Sequence, residues 1–411
     1  MLVDSRSVEF GSHLGTLDLS SSKSELNRAL ILQALYPTIS ISGHSAADDV
    51  VAMRQALAKQ EGEIDCQHAG TALRFLTAYF ACKEGVSVVL KGSDRLHERP
   101  IAPLVFALQK LGASITYLEK EGFPPLHIEG KKLSNHSVVI SAAQSSQYLS
   151  ALLLISPALH NGLELTLEDE VVSAPYITMT LDLLKSIGVS TKTKENTIYV
   201  RPLAEAKPVQ LHIESDWSSA SYYYAIIALA PVGTSISLSS FLPQSRQGDA
   251  EAAQLFAVFG VRTTHEGNHI IIKKERTVDF STAPQLEFNL LAQPDLAQTI
   301  AVTCAGLGCK AQLTGLQSLK IKETDRLLAL QTELTKLGVA VKVSENSLRL
   351  QAPNQLKPDV KIATYSDHRM ALAFACLAVK IPITIENPQV VAKSYPEFWL
   401  HLAQIGFRCE K

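Results

Sequence analysis

The stretch Ser150–Leu159, SALLLISPAL, decides how this 411-residue chain folds. Read as a helix it is apolar nearly all round, and a helix without a polar face has to be buried. Two further stretches read the same way, YYYAIIALA at 222–230 and RMALAFACLAV at 369–379. Between such helices lie runs with strand-like polar alternation, KVSENSLRL at 342–350 and STKTKENTIYV at 190–200, which suit sheets with one wet face. The expected architecture is therefore α/β with helices packed inward and sheets outward. A short pattern recurs along it: LGASI around Gly112, IGVST around Gly188, FGVRT around Gly260, LGVAV around Gly338 and IGFRC around Gly406. The intervals are 76, 72, 78 and 68 residues. Each glycine follows a helical run and precedes β-branched or alternating residues, as when a helix ends on a left-handed glycine and turns into a strand. Gly62, in KQEGEID, reads as a sixth and more eroded copy. Six units of about 70 residues would fill the chain, although any α/β protein also ends helices on glycine.

Composition narrows the function. Lys plus Arg total 38 against 40 Asp plus Glu, a net charge of −2, and there is no long basic run. A nucleic-acid groove or a membrane-surface patch needs a dense positive field, so neither partner is expected. The longest strongly apolar stretches, such as MALAFACLAV at 370–379, fall far short of the roughly 20 residues of a bilayer span. The start, MLVDSRSVEF, has no apolar segment of the secretory kind. Cys66, Cys82, Cys304, Cys309, Cys376 and Cys409 form no CxxC pair and no zinc-spaced cluster with histidine, so they read as reduced thiols of a cytoplasmic protein.

The apolar helices begin with unusual sequences. Ser22-Lys23-Ser24 precedes ELNRALILQAL, where Ser24 can cap the helix while Lys23 and Arg28 stand at its start. His68-Ala69-Gly70-Thr71 opens ALRFLTAYF, with Gly70 permitting close approach and Arg74 one turn in. Ser145-Ser146-Gln147 opens another helix, and Ser173 with Pro175 marks a further cap and first turn. Pro294-Asp295 starts LAQTIAVTCAG, IKETDRLLAL carries Lys322, Glu323 and Arg326, and Asp367-His368-Arg369 starts the helix at 370. Each alone has a plainer reading: serine N-caps, an exposed Glu323–Arg326 helical pair, a solvated first turn at 367–369, one lysine among many at Lys393. Their conjunction favours a small, multiply anionic ligand, because helices too apolar to be exposed present polar ends whose dipoles add to the cations.

SKSELNRAL at 22–30, HAGTALRFL at 68–76, ERPI at 98–101, SSQYLSALL at 145–153, VSAPYI at 172–177, QGD at 247–249, PDLAQT at 294–299, KETDRL at 322–327, DHRMA at 367–371 and AKSYP at 392–396 follow one another in the order of the 5-enolpyruvylshikimate-3-phosphate synthase family. The chain resembles that family, in the enolpyruvyl transferase group, over nearly its whole length. The resemblance implies a two-domain inside-out α/β barrel of six βαβαββ repeats. One domain would hold residues 21–214 on the shikimate 3-phosphate side. The other would combine 1–20 with 215–411 and carry the catalytic carboxylates, with hinge crossings near 19–22 and 214–216.

The implied reaction joins the enolpyruvyl group of phosphoenolpyruvate to the 5-hydroxyl of shikimate 3-phosphate and releases phosphate, a step of the shikimate pathway toward chorismate and aromatic amino acids. No metal or organic cofactor is implied, and the protein would be monomeric. Carried over by position, Ser24 and Arg28 would hold the shikimate carboxylate, Ser145, Ser146 and Ser173 its phosphate, and Gln147 would lie against the ring. Lys23 would serve both substrates. Lys23, Gly70, Arg99, Gln147, Arg326, Arg369 and Lys393 would enclose phosphoenolpyruvate. Asp295 and Lys322 would meet the ring hydroxyls, with Asp295 the base on the 5-hydroxyl and Glu323 the acid toward the methylene carbon.

The pattern departs from the family in four places. Ser20-Ser21 replace a usual Pro-Gly, His68 a usual Asn, Ser318 an Asn and Lys320 an Arg. The segment between Ala58 and Cys66 is also short, which suggests a trimmed strand in the first repeat. Two alternatives stand beside this reading. An enolpyruvyl transferase acting on UDP-N-acetylglucosamine would share the fold, but many of its members carry a cysteine in the loop that reads SDRLHERPI here. A catalytically silent shikimate 3-phosphate binding protein would not need to keep both Asp295 and Glu323.

Overall fold

The computed structural model describes residues 1–280, 283–353 and 355–410. The chain divides into two compact units: a middle unit, Ser21–Ile213, and a terminal unit formed by Met1–Ser20 with Glu214–Lys411.

Among the described residues three sheets belong to each unit, and five of these six have four strands in one order. In the middle unit, strand Glu61–Asp65 runs parallel to Ser87–Lys91, which pairs antiparallel with Leu126–Glu129, itself paired with Ser114–Tyr117. Ser137–Ser141, Leu163–Glu168, Thr197–Val200 and Thr191–Lys194 repeat this order. The terminal unit repeats it three times, starting from strands His13–Leu17, Leu286–Asn289 and Lys361–Ile362. Each repeat has a physical grammar. A parallel pair needs a crossover, which a helix supplies, and a second helix then leads into a hairpin.

That second helix ends on the glycine read from sequence. Gly112, Gly188, Gly260, Gly338 and Gly406 have φ between 78° and 107°, a left-handed conformation that strains any residue with a Cβ. Gly62 also has positive φ, but it lies inside strand Glu61–Asp65, opposite Val88, and ends no helix. The sixth sheet explains why. It contains only Ile39–Ser42 and Val209–His212, so helix Asp48–Leu57 runs directly into the first strand of the next repeat and the hairpin is missing. The short segment after Ala58 thus reflects a lost hairpin rather than a shortened strand.

Both units close by strands far apart in sequence. Val209–His212 pairs with Ile39–Ser42, and Leu2–Asp4 sits between Ile383–Ile385 and Arg408–Glu410. Sheets alternate in burial, with Leu163, Leu165 and Leu167 inward and Glu164, Thr166 and Glu168 toward water. The helices form the interior. Ser150–Ala158 lies in helix Ser146–Ile155 and the short turn Ser156–Ala158 that follows, with Leu159 just beyond it, and every residue from Tyr148 to Ile155 is buried. Burying each large aliphatic side chain contributes about 1.5–3 kcal/mol. Tyr223 and Tyr224 of helix Trp217–Leu229 are buried with hydroxyl partners, Tyr223 on Tyr395 and Tyr224 on Thr263, both at 2.7 Å, which removes the cost of hiding a phenol.

Candidate active site

In three of the most deeply buried helices a single residue escapes burial, and each stands in the first turn. They are Thr71 in Gly70–Ala81, Gln147 in Ser146–Ile155 and Ser218 in Trp217–Leu229. Helix beginnings are where backbone N–H groups lack partners and the dipole favours anions, so these are the points at which an apolar interior opens to polar chemistry.

In the middle unit, one guanidinium gathers three helix starts. Arg28 lies on helix Lys23–Leu35 and is buried. Its Nη1 donates to the Ser24 carbonyl at 2.8 Å, its Nη2 to Ser150 at 2.9 Å and its Nε to Thr180 at 2.8 Å. Ser150 is one turn into the helix that opens with Ser145-Ser146, and Thr180 lies in the helix that follows Ser173. The Arg28 carbon also sits over the rings of Phe75 and Tyr176, at 5.2 and 5.5 Å. Burial lowers its pKa to about 10, still cationic at neutral pH. All three hydrogen-bond partners are neutral, so the charge is held in place without being cancelled by them.

The residues around it take defined positions. Ser22, not Ser24, is the N-cap: its hydroxyl accepts from the Glu25 amide at 3.4 Å, which puts Lys23 and Ser24 in the first turn. Two serines in three residues fit a cap equally well on paper, and the backbone turn selects the first. Lys23 Nζ donates to Asp49 at 3.0 Å. Ser145 caps its helix through the Gln147 amide at 3.3 Å, while the Gln147 side chain donates to Thr71 at 3.0 Å. Ser146 is buried at the first helical position. Ser173 occupies the cap position of its helix at φ 58° without a capping hydrogen bond. Gly70 lets Arg99 come close: a Cβ there would lie 2.5 Å from Arg99 Nη1 and push the guanidinium aside.

The terminal unit builds a network of acids and cations on helix Arg326–Lys336, whose N-cap Asp325 accepts from the Leu327 and Leu328 amides. Arg326 Nη1 binds Asp295 at 3.1 Å, Nη2 binds Glu323 at 2.9 Å and Nε binds Asp367 at 2.7 Å. Burial alone would lower its pKa, yet the three carboxylates outweigh that and raise it. Arg369 pairs with the other Asp295 oxygen at 3.0 Å, and Lys393 with the other Glu323 oxygen at 2.8 Å. The exposed-pair reading of Glu323 and Arg326 therefore fails: the Arg326 side chain is 2% exposed. Asp295 and Glu323 keep 13% and 14% exposure while Asp367 has none, so the first two remain reachable from solvent and the third anchors the arginine from within. Lys322 is half-buried beside Glu323.

Two members of this network escape a reading of the sequence. Asp367 marks a helix start in the sequence, yet its bond to Arg326 spans 41 residues. Asp249, visible only as the end of QGD, accepts a short hydrogen bond from the Ser218 hydroxyl, and Ser218 in turn lies 3.4 Å from Arg369 Nη2. Burial, followed by repulsion from Asp295, pushes the Asp249 carboxyl up to about 7. Two departures from the family pattern now have partners: Lys320 pairs with Glu345 at 2.7 Å, and Ser20 donates to Glu397 at 3.0 Å. Among the described residues no group of three or more His, Cys, Asp or Glu could hold a metal ion, and no helix is long and apolar enough to cross a membrane.

This arrangement, cations at the starts of buried helices with two accessible carboxylates sharing one guanidinium, belongs to an inside-out α/β scaffold for anionic substrates. Residues 42–402 match the EPSP synthase (3-phosphoshikimate 1-carboxyvinyltransferase) family, and the chain belongs to that family. A 3-phosphoshikimate 1-carboxyvinyltransferase of Bacteroides fragilis is 45% identical over 399 residues, covering 95% of each chain. One of Vibrio cholerae is 33% identical over 95% of this chain and 97% of its own. Among solved structures, EPSP synthase from Acinetobacter baumannii matches the fold with a TM-score of 0.76 at 20% identity, covering 100% of this chain and 99% of that one. The enolpyruvyl transferase NikO from Streptomyces tendae has a TM-score of 0.72 at 14% identity, over 99% and 97%.

Proposed function

We infer that this protein transfers the enolpyruvyl group of phosphoenolpyruvate to the 5-hydroxyl of shikimate 3-phosphate and releases phosphate. The observation that carries the reading is the pair Asp295 and Glu323, both accessible and both bonded to Arg326. The reaction needs one group to take the hydroxyl proton and another to deliver a proton to the methylene carbon. Two carboxylates with different partners, Asp295 with Arg369 and Glu323 with Lys393, can divide those duties. In this reading Asp295 is the base and Glu323 the acid.

Both substrates are multiply anionic and repel each other, so fixed cations and helix dipoles have to bring them together. Shikimate 3-phosphate would be met by Lys23, Ser24, Arg28, Ser145, Ser146, Gln147, Ser173, Asp295 and Lys322. Phosphoenolpyruvate would be met by Lys23, Gly70, Arg99, Gln147, Arg326, Arg369 and Lys393. The neutral hydrogen-bond partners of Arg28 support a carboxylate bound beside it, and the guanidinium of Arg99 against bare Gly70 supports a second anion there. The reading takes the chain crossings near 19–22 and 214–216 as a hinge, and the protein as a cytoplasmic monomer.

The test is phosphate release from phosphoenolpyruvate in metal-chelated buffer, with shikimate 3-phosphate as acceptor. Release is expected. Binding of shikimate 3-phosphate without release would favour a silent binding protein, and release only with UDP-N-acetylglucosamine would move the assignment to that transferase.

A further inference from the structure

The segment that delivers Asp367 and Arg369 to the network is held in an unfavourable shape. After strand Lys361–Ile362 the chain passes through Tyr365 and Ser366 with φ of 53° and 54°, two successive non-glycine residues in the left-handed region. Such residues are uncommon singly and persist only where their surroundings over-determine them. The turn closes with the Asp367 amide on the Thr364 carbonyl at 2.8 Å, and Asp367 then caps helix His368–Ala375 and reaches Arg326.

What over-determines it is Glu333. This carboxylate lies on helix Arg326–Lys336, two turns beyond Arg326, and its side chain has no exposure. One oxygen accepts the Tyr365 hydroxyl at 2.6 Å, and the other accepts the Ala363 amide at 3.2 Å and Lys336 Nζ at 2.6 Å. A single helix thus grips the segment 363–367 twice, through Arg326 at its first residue and through Glu333 two turns on. We propose that Glu333 is a positioning residue of the active site: by binding Ala363 and Tyr365 it clamps the left-handed turn that aims Asp367, and with it Arg326, at the reacting groups. A glutamine would hold the turn less firmly: its oxygen could still accept the Ala363 amide, but its NH2 would face the Tyr365 hydroxyl, which would have to change from donor to acceptor, and Lys336 would lose its counterion. A methyl-bearing or apolar residue would lose both bonds.

The proposal rests on the reaction assigned above for its kinetic consequence but not for its structural one, and the experiment separates them. Amide hydrogen exchange and steady-state kinetics would be measured on wild type, Glu333→Gln and Tyr365→Phe, at a temperature where circular dichroism shows all three folded. Tyr365 is partly exposed, so its loss of one hydroxyl leaves the fold intact. Both variants should exchange faster at the amides of Asp367 and Arg369, while the core of helix Trp217–Leu229 is unchanged. Their kcat should fall by about 10-fold or more for Glu333→Gln, and less for Tyr365→Phe, since small displacements of positioned groups cost rate steeply. Unchanged exchange at 363–370 would overturn the clamp. Faster exchange with wild-type kcat would overturn the positioning role and leave Glu333 a purely structural acid. If wild type itself released no phosphate, the assigned reaction would fall while the exchange data still decided the clamp.

Discussion

Arg28 and Arg326 are both buried arginines in helices that start at a polar cluster, yet they are opposites electrostatically. Arg28 bonds two hydroxyls and a carbonyl, and burial drags its pKa down to about 10. Arg326 bonds three carboxylates, which overcome the burial penalty and hold its proton more tightly than usual. The middle unit therefore keeps a cation whose three hydrogen-bond partners are all neutral. The terminal unit keeps cations already paired with acids. In the function proposed, that difference would assign anion binding to one arginine and support of proton transfer to the other.

The largest effect should come from removing each charge in turn. Arg326→Met leaves the buried Asp367 without its arginine and takes one of two cations from Asp295 and Glu323, and should destabilise the protein by about 3–5 kcal/mol, lowering Tm by roughly 4–6 °C for a protein of this size. Arg28→Met leaves only Thr180 and Ser150, which can bond each other at 3.1 Å, and Thr180 already donates to the Tyr176 carbonyl at 2.8 Å. Its Tm should stay within the shift expected for about 1 kcal/mol, while calorimetry should show shikimate 3-phosphate binding weakened by about 10-fold or more. Equal destabilisation by the two substitutions would erase the contrast.

A smaller effect sharpens it. Gly70→Ala places a methyl 2.5 Å from Arg99 Nη1, and the flexible guanidinium can move away. The fold should survive, KM for phosphoenolpyruvate should rise by about 10-fold, and KM for shikimate 3-phosphate should change far less. Similar changes in both KM values would show that Arg99 does not select between the substrates.

The smallest effect concerns Asp249. Its carboxyl is raised from 3.8 to about 7 by burial and then by Asp295, so the folded state binds a proton that the unfolded state releases at lower pH. Stability from this group is full below the unfolded value and is lost as pH rises through about 7. Asp249→Asn, which mimics the protonated form, should match wild type in Tm near pH 4 and exceed it at pH 8. Parallel Tm profiles across that range would contradict the assignment.

Much of this was legible in the chain. The left-handed glycines at 112, 188, 260, 338 and 406 are local events, a helix end and a strand start within five residues, so pattern alone finds them. Apolar-all-round helices announce their burial for the same reason. The closures were not legible, because Leu2 pairs with Thr384 and Val209 with Ile39, and non-local pairing writes no local pattern. The site divides along the same line. KETDRL and DHRMA carry their residues openly, whereas Asp249 joins only through Ser218, 31 residues away, and Glu333 looks from sequence like any helix acid. The choice of Ser22 over Ser24 as cap, too, rests on backbone angles that two equivalent serines do not encode.

The division of labour stands or falls on Glu323. With shikimate 3-phosphate and phosphoenolpyruvate in deuterated water, NMR would follow deuterium entering the methylene carbon in wild type and in Glu323→Gln, whose amide keeps size and hydrogen bonding but cannot deliver a proton. The account predicts rapid labelling by wild type and labelling slower by about 100-fold or more in the variant, with shikimate 3-phosphate still bound. Labelling at the wild-type rate by Glu323→Gln would contradict it.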